Sequence, residues 1–496
     1  MTIPLFAPIA IVGQGCVLPG ALSPSALWLL VRDGRCVLGP APAGAWRLSP
    51  GRVLARGDDV VDRTWHDIGG TVEGFAQVFD PSGYALPASE LAGLDPVVLW
   101  SLHAARDALA QARPATGRIG VILGNLSYPT PGLTRFAEQT WLGEVPTEDP
   151  RNRFSSGLPA LLVARALDLD PSLSFCLDAA CASSLYAIKL ACDALHDWRA
   201  DAVVAGGVNH VDDLFLHIGF SALQALSPSG RSRPFHRDAD GLIPSTGAAC
   251  ILLKRLEDAV AAGDAILGVI RGVGLSNDGK SRGLLSPSVE GQRRAMEAAY
   301  AMAGLSPADI SLIECHATGT RVGDAIELES MARVFGDAGA RDVPIGSLKA
   351  NLGHLITASG AAGLLKVLAA MATGVRPPTL NADPATDALA DAPFRLLRAA
   401  EPWECEGVRR AAVNNFGFGG NNAHLLVEAV STWAPDLIAP RHPTVPPRRR
   451  PPHQARRIPL LQKHPKRARL ARCHRQPPLQ GHRAESRQLD PALDFE

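Results

Sequence analysis

Residues 173–185 read LSFCLDAACASSL, which places a cysteine between a strand pattern and a helix pattern. The residues before Cys181 are mainly apolar, and after it apolar residues recur every three or four positions. Small side chains on both sides of Cys181 allow a tight turn. This strand–turn–helix unit predicts a nucleophilic thiol, because free N–H groups and the helix dipole at a helix start favour thiolate. The alternative is a small buried core cysteine.

The rest of the chain, up to about residue 430, alternates between strand and helix patterns. Short apolar runs at residues 202–205, 251–253 and 411–413 are typical of strands that are covered on both faces. The apolar spacing over residues 361–371 predicts one of the intervening helices. This rhythm indicates the α/β class, with helices packed over mostly buried sheets. The 496 residues, 46% of them hydrophobic, suffice for two domains or two halves of one.

The N-terminal residues 3–13 are apolar, but they lack the basic segment of a signal peptide, so they predict a first buried strand. Apolar runs in the chain are shorter than the roughly 18–20 residues of a membrane span, and no membrane partner is expected. The nine cysteines show no CxxC spacing. They therefore predict reduced thiols and a cytoplasmic location.

The net charge of zero conceals a split between the body and the C-terminal region. Residues 441–496 contain 14 Lys and Arg against 4 Asp and Glu, a difference of +10, which leaves 35 against 45, or −10, for the remainder. Residues 433–496 are rich in Arg and Pro without an apolar period, and they predict a disordered basic tail. Nucleic-acid binding is an alternative role for this tail, but the tail lacks aromatic stacking platforms, so no nucleic-acid partner is expected.

Two histidines in separate loops are the second candidate feature. His316 ends an apolar run and opens the Thr- and Gly-rich segment 316–320, and His354 closes the segment 349–354, KANLGH. A histidine in a loop is often structural. Two of them, each at the end of a predicted strand, can instead donate hydrogen bonds to a carbonyl oxygen that becomes negative.

Charged residues accompany both histidines. Lys349 precedes His354 by five residues, and Asp324 and Glu327 follow His316 by eight and eleven. Such charges commonly lie on a solvated face, but a buried ion pair that fixes the histidine loops is the sharper alternative. A zinc site would also use a cysteine and two histidines. The chain lacks the close ligand spacing of such sites, so no metal is expected.

A glycine-rich segment closes the pattern. Residues 414–422 read NNFGFGGNN, with two aromatic residues among three glycines. Such a segment can form a mobile gate, and one of its backbone N–H groups can bind an oxyanion. A plain glycine turn between two strands is the alternative.

Taken together, these motifs resemble the β-ketoacyl synthase family, of the kind found in type I polyketide and fatty acid synthases. The resemblance rests on residues 9–13 (IAIVG), the cysteine loop, residues 233–241 (RPFHRDADG), both histidine loops and the FGFGG turn. It implies a thiolase-like fold, a duplicated αβαβα five-layer sandwich, in a homodimer. The expected halves are 1–256, with the nucleophilic cysteine, and 257–432, with both histidines.

The resemblance also implies roles for individual residues. Cys181 is expected to be the nucleophile that carries the acyl chain. His316 and His354 are expected to assist the decarboxylation of a malonyl thioester and to stabilise the enolate. Lys349 resembles the lysine that supports this pair, and Glu327 resembles its partner.

Further residues follow from the same resemblance. Phe418 resembles the gate residue whose backbone N–H joins that of the nucleophile in an oxyanion hole, and Asp324 is a second supporting acid. Thr318 and Thr320 resemble residues that contact a phosphopantetheine arm. Phe416 is expected to contact the substrate.

The implied reaction is a decarboxylative Claisen condensation, with no bound cofactor and no metal. The expected partners are an acyl carrier protein with its phosphopantetheine, malonyl-type and acyl thioesters, and a second copy of the chain. No carrier region is recognisable after residue 430, so the chain is expected to work with carriers in trans or as a piece of a larger synthase. The alternative is a non-condensing partner, chain-length-factor-like or a decarboxylase. Thr246, where the family usually has glutamate, keeps that alternative open.

Overall fold

A computed structural model describes most of the chain up to residue 430: residues 6–46, 48–55, 57, 61–113, 117–280 and 286–430. These residues belong to one structural unit, Met1–Ile438. The basic tail predicted for residues 433–496 lies outside the described residues.

In the described part of the chain, eleven strands form one mixed sheet. In chain order they are β1 (Ile9–Val17), β2 (Ile119–Asn125), β3 (Ser174–Leu177), β4 (Ala202–Asn209), β5 (Gly247–Arg255), β6 (Gly268–Asn277), β7 (Ile313–Glu314), β8 (Val343–Gly346), β9 (Phe394–Leu396), β10 (Arg410–Gly417) and β11 (Asn421–Glu428). Across the sheet their order is β9-β8-β7-β10-β11-β6-β1-β5-β4-β2-β3. Two short strand pairs stand apart, Gly39–Pro40 with Ile68–Gly69 and Val375–Arg376 with Glu401–Pro402.

The sheet consists of two copies of one strand arrangement. From one edge inward, the first half runs β3-β2-β4-β5-β1, and the second half runs β8-β7-β10-β11-β6 with β9 added outside. In each half the first three strands are parallel and the next two are antiparallel. The halves join where β1 and β6 pair antiparallel, from Ile9 with Ile270 to Ile11 with Gly268. This repeat is the duplication that the resemblance implies.

The helices complete the layers. Those longer than one turn are α1 (Pro24–Arg32), α2 (Pro96–Ala110), α3 (Pro131–Trp141), α4 (Leu158–Ala166), α5 (Ser183–His196), α6 (Asp213–Ala222), α7 (Leu256–Ala262), α8 (Val289–Ala303), α9 (Arg321–Asp337) and α10 (Ser359–Thr373). One-turn helices cover Pro50–Val53, Phe75–Val78, Ala88–Leu91 and Lys349–Leu352. Short 3-10 turns cover Pro150–Phe154, Pro171–Leu173, Pro307–Asp309, Ile356–Ala358, Asp387–Leu389 and Phe418–Gly420.

Helices α5 and α10 pack against each other between the two halves of the sheet, and each contacts strands of both halves. Helices α2 and α4 cover the outer face of the first half, and α8 and α9 cover that of the second. The order of layers is therefore helix, sheet, helix, sheet, helix, which is the predicted five-layer sandwich.

The middle layer explains the most apolar segment of the chain. Ile356–Thr373 is long and apolar enough to cross a membrane by length and composition, but 83% of it is buried inside the fold. A helix enclosed by two sheets is apolar on all sides rather than on one stripe. The helix predicted over residues 361–371 is α10, and the runs at 202–205, 251–253 and 411–413 lie in β4, β5 and β10, where every residue of the runs is buried.

Candidate active site

Cys181 lies in a turn between β3 and α5 and is 4% exposed. Ala180, just before it, has φ +50°, a left-handed conformation that is uncommon for a residue with a side chain. Two bonds of Ser183 hold this turn: the Ala179 N–H donates to its Oγ at 2.8 Å, and its hydroxyl donates to the Ala180 oxygen at 2.6 Å. The first turn of α5 therefore fixes the backbone that presents the thiol.

His354 meets this thiol from the second half of the fold. Its Nε2 lies 3.0 Å from Sγ of Cys181, and its Nδ1 lies 3.0 Å from Oγ of Ser359, the first residue of α10. The backbone N–H of His354 donates to the oxygen of Ile243 at 2.7 Å, which ties the loop to the segment before β5. The starts of the two central helices, α5 and α10, thus bring the cysteine and the histidine together. Ser359 was not recognised from the sequence.

His316 follows β7 and completes the group. Its ring centroid is 5.5 Å from that of His354, with an interplanar angle of 81°. Sγ of Cys181 and one nitrogen of each histidine all lie within 4.8 Å of one another. Three side chains that are 135 and 38 residues apart in sequence therefore face one space.

Two buried acids on α9 hold the His316 loop. Glu327 accepts the backbone N–H groups of His316 at 2.8 Å and Ala317 at 2.6 Å. Asp324 accepts those of Thr318 at 3.1 Å and of the next glycine at 3.2 Å, and also one from the segment before β5. Both carboxyls therefore position the loop through its backbone.

The expected ion pair between Lys349 and Glu327 is not formed: no contact within 4.0 Å joins them among the described residues. Glu327 uses its oxygens for backbone N–H groups and an amide, so no oxygen is left for a close cation. Lys349 acts on the site at longer range, because its charge stabilises the ionised forms of Glu327 and Cys181. Burial lowers the pKa of Lys349, and the nearby Glu314 and Glu327 oppose that shift.

Burial dominates the electrostatics of the reactive group. It raises the pKa of the Cys181 thiol to about 11, although the Phe418 N–H, the Lys349 charge and the cysteine's own N–H oppose it. The expected net preference for thiolate at the helix start is therefore wrong for the free protein, because desolvation outweighs the dipole. Burial and Lys349 also hold the pKa values of His316 and His354 well below the usual range. The resting group is a thiol beside two neutral imidazoles.

A reactivity profile checks this charge state. We expect alkylation of Cys181 by iodoacetamide to be slow at pH 7 and to rise by about tenfold per pH unit until the thiol ionises. The Lys349→Met variant should need a still higher pH, because a charge that favours thiolate is lost. Lys189→Met, on α5 and paired with Asp193, is the matched control and should leave the profile unchanged. Identical profiles for wild type and Lys349→Met would contradict the assignment.

The glycine-rich segment approaches the cysteine turn from β10. The backbone N–H of Phe418 is hydrogen-bonded to the thiol of Cys181, so it points to where an oxyanion on the acyl carbon would form. Nδ2 of Asn415 donates to the backbone oxygen of Cys181. The Phe418 ring lies 6.1 Å from the ring of Phe220 on α6. Asn415 lay in the segment quoted from the sequence, but nothing in the pattern distinguished it from its neighbours.

Gly417 packs too closely on the cysteine turn for any side chain. A Cβ at this position would lie 2.9 Å from the Ala179 oxygen and 3.1 Å from the Cys181 nitrogen. We expect Gly417→Ala to displace the turn, to lower Tm and to reduce acylation of Cys181 by at least about tenfold, since a small misplacement of a reacting group is costly. Gly336→Ala on α9 is the control, because its Cβ would meet nothing within 4 Å. Acylation measured by intact mass at equal protein concentration decides; unchanged acylation in Gly417→Ala would contradict the prediction.

These groups line one cavity of about 550 Å³. Cys181 and both histidines form part of its wall, and so do the predicted substrate contacts Thr318, Thr320, Phe416 and Phe418. The hydroxyls of Thr318 and Thr320 are 3.0 Å apart. Lys349, Asp324 and Glu327 are not part of the lining, so they act on the cavity through the residues they hold.

The cysteine and the two histidines could also ligate a metal ion. In a tetrahedral zinc site the sulfur and nitrogen ligands would be about 3.5 Å apart, whereas Sγ of Cys181 and Nε2 of His354 are 3.0 Å apart. The charge of Lys349, which lowers the pKa of both histidines, would also repel a divalent cation. The set therefore fits a hydrogen-bonded thiol and imidazole better than a metal centre.

Two family models match the chain: the β-ketoacyl synthase N-terminal domain over residues 7–259 and the β-ketoacyl synthase C-terminal domain over residues 267–383. The chain belongs to the β-ketoacyl synthase family. Its curated relatives include the mycoketide-CoA synthase of Mycobacterium tuberculosis, 36% identical over 443 residues, and pikromycin polyketide synthase component PikAIII of Streptomyces venezuelae, 35% identical over 438 residues. These alignments cover 85% of this chain but 10% and 27% of the relatives.

Solved structures agree with this assignment. The PfaC keto synthase-chain length factor matches with a TM-score of 0.79 and 35% identity, covering 85% of this chain and 48% of that one. The oxazolomycin ketosynthase domain OzmH KS7 of Streptomyces albus JA3453 matches with a TM-score of 0.76 and 31% identity, covering 85% and 74%. The predicted family, a ketosynthase domain of the type I polyketide synthase kind, and the predicted thiolase-like fold are confirmed. The chain is accordingly a condensing enzyme of the transferase class.

Proposed function

We propose that this chain catalyses the decarboxylative condensation of an acyl chain on Cys181 with a malonyl-type thioester carried by an acyl carrier protein. The observation that carries the proposal is the 3.0 Å contact between Sγ of Cys181 and Nε2 of His354. This contact lies on the wall of a cavity large enough for the arm of a carrier, with His316 beside it.

The first step is acyl transfer to the cysteine. Sγ of Cys181 attacks the carbonyl carbon of the carrier thioester, and its proton passes to the neutral Nε2 of His354. The new carbon–sulfur bond forms as the old one breaks, and the proton goes on to the departing carrier sulfur. Because the thiol pKa is about 11, this transfer needs a base in contact with the sulfur. The backbone N–H groups of Cys181 and Phe418 are placed to stabilise the oxyanion.

The second step forms the new carbon–carbon bond. The bond between the malonyl carbon and its carboxylate breaks, CO₂ leaves, and the electron pair remains as an enolate on the carrier thioester. Neutral His316 and His354 can donate hydrogen bonds to the enolate oxygen because their pKa values are low and each ring still has one N–H. The enolate attacks the acyl carbon on Cys181, whose sulfur leaves and regains a proton. The product is a β-ketoacyl chain on the carrier.

A second candidate is a non-condensing partner that only decarboxylates or sets chain length. It is favoured by one observation, the similarity to a structure described as a keto synthase-chain length factor. The buried thiol with an imidazole at 3.0 Å favours condensation instead, because decarboxylation alone needs no nucleophile.

Reconstitution separates the two candidates. The protein is incubated with an acyl-loaded carrier protein and a malonyl-loaded carrier protein, and the carriers are analysed by intact mass. Condensation gives a β-ketoacyl carrier and an acylated Cys181 on the way. Release of acetyl carrier without any acylated protein would defeat the proposal and support the second candidate.

We further propose that the working form is a homodimer, as the family resemblance implies. Trp141 at the end of α3 is 87% exposed, and Leu142 and Val145 just after it are 67% and 85% exposed. Apolar side chains so exposed and so close in sequence support a surface that a second copy covers. Sedimentation should show a dimer that Trp141→Asp converts to monomer; a monomeric wild type would end this proposal. A cytoplasmic location is proposed as well, because the unpaired thiol of Cys181 has to stay reduced.

A further inference from the structure

Three buried polar side chains form a chain behind His316. Nδ1 of His424 lies 2.6 Å from Oδ1 of Asn414, and Nδ2 of Asn414 donates to Oε1 of Glu327 at 2.8 Å. None of the three is more than 1% exposed. Asn414 on β10 and His424 on β11 are directly opposite each other in the antiparallel pair, so the strand register brings them into contact. The chain leads from the outer part of the second half to the His316 loop.

The direction of every bond in this chain follows from what each group can do. The carboxylate of Glu327 only accepts, and it already accepts the N–H groups of His316 and Ala317. Asn414 therefore presents its NH₂ to Glu327 and its oxygen to His424. Nδ1 of His424 then has to carry the ring proton, and Nε2, which has no partner among the described residues, is left unprotonated.

Protonation of Glu327 would break this order. A neutral carboxyl has a hydroxyl that needs an acceptor, but the groups bonded to its two oxygens are all donors: two backbone N–H groups and the amide of Asn414. The arrangement is self-consistent only with an ionised Glu327. Because unmet buried hydrogen-bonding groups are costly, each donor favours the charge.

We propose that Asn414 and His424 are positioning residues, which keep Glu327 ionised so that it holds the His316 loop beside Cys181. Neither residue lines the cavity, so each acts through Glu327. What the loop does chemically rests on the function proposed above. His424 is the end of the chain: it fixes the orientation of the Asn414 amide, which would otherwise be free to present its oxygen to a carboxylate.

The charges around Glu327 set the direction of the pH effect. Burial raises the pKa of Glu327; the Asn414 amide, the two backbone N–H groups and Lys349 lower it. Asp324 on the same helix and Cys315 before the loop also face it, and their negative forms would oppose its charge. The loop is therefore held above the folded pKa of Glu327 and released as the pH falls through it. Loss of the Asn414 donor raises that pKa and moves the release to higher pH.

Hydrogen exchange measures this release without requiring any turnover. The readout is the protection of the amides of His316 and Ala317 as a function of pH, in wild type, Asn414→Leu, His424→Leu and His424→Gln. A hydrogen bond to a charged group corresponds to a shift of about one to two pH units. We expect that shift toward higher pH in Asn414→Leu, a smaller one in His424→Leu, and a profile close to wild type in His424→Gln, which keeps a side-chain donor.

The matched control is Tyr300→Phe. The Tyr300 ring lies 5.3 Å from that of His424, and its hydroxyl has no partner among the described residues, so the variant alters the same region without touching the chain. It should leave the exchange profile unchanged. The acid limb of the decarboxylation rate should move in parallel with exchange in every variant.

Several outcomes would overturn the proposal. One is a lower Tm in Asn414→Leu and His424→Leu with no change in the pH of release. Another is a ring proton on Nε2 of His424, which ¹⁵N spectra of the wild type detect directly. If Asn414→Leu does not fold, the His424 variants and these spectra still decide. A wild type that fails to condense would refute the proposed function alone, because exchange and tautomer are measured without substrate.

Discussion

Cys181→Ala is expected to abolish covalent acyl loading entirely. The sulfur is the nucleophile in the proposed function, and among the described residues no other group on the cavity wall offers a thiol. The change is small in volume, and the turn is held by Ser183 rather than by the thiol, so the fold should persist. Intact mass after incubation with an acyl-loaded carrier protein gives the answer: wild type gains the mass of the acyl group, and the variant gains none.

Cys192→Ala is the matched control for this experiment. Cys192 is a fully buried thiol on α5, the helix that starts beside Cys181, and it packs in the apolar core. Its removal should cost stability and leave loading intact. Full loading of Cys181→Ala, or loss of loading in a folded Cys192→Ala, would place the acyl group elsewhere.

His354→Ala is expected to lower the condensation rate by about a thousandfold, the upper part of the range for removal of one oxyanion donor. It should slow acyl loading as well, because a thiol with a pKa of about 11 loses the base that contacts it. Loading should suffer less, since a thiolate can still form in solvent at high pH. Raising the pH should therefore restore loading in the variant without restoring condensation.

Single-turnover measurements separate the two steps. His196→Ala serves as the control, because His196 sits at the far end of α5 and bonds to a backbone oxygen of the N-terminal segment. It should leave both rates unchanged. Equal losses in loading and condensation at every pH would contradict the two roles assigned to His354.

The strands and the cysteine turn were predictable because their signals are local. Residues 202–205 and 411–413 are apolar on both faces of the strand, which is typical of strands with both faces covered. The turn at Cys181 was visible in its small residues and in the helical spacing that follows. Local patterns of this kind depend on a few neighbours, so one sequence contains them.

Other features depend on residues far apart in the chain. The contact of Asn415 with the backbone of Cys181 joins residues 234 positions apart, and the pairing of β1 with β6 follows from the sheet order. The thiol pKa was misjudged for the same reason. The helix start that favours thiolate is a local feature, whereas the burial that opposes it comes from both halves of the fold.

The shared middle layer has a consequence for how this protein acquires its reactivity. Cys181 is synthesised early, but the imidazoles come more than 130 residues later and the Phe418 N–H comes last. During synthesis, the thiol exists for most of the chain's emergence without the groups that make it useful, and premature acylation is thereby suppressed. Catalytic competence arrives as a final act of assembly, so a turnover assay also reports that the last strands have docked.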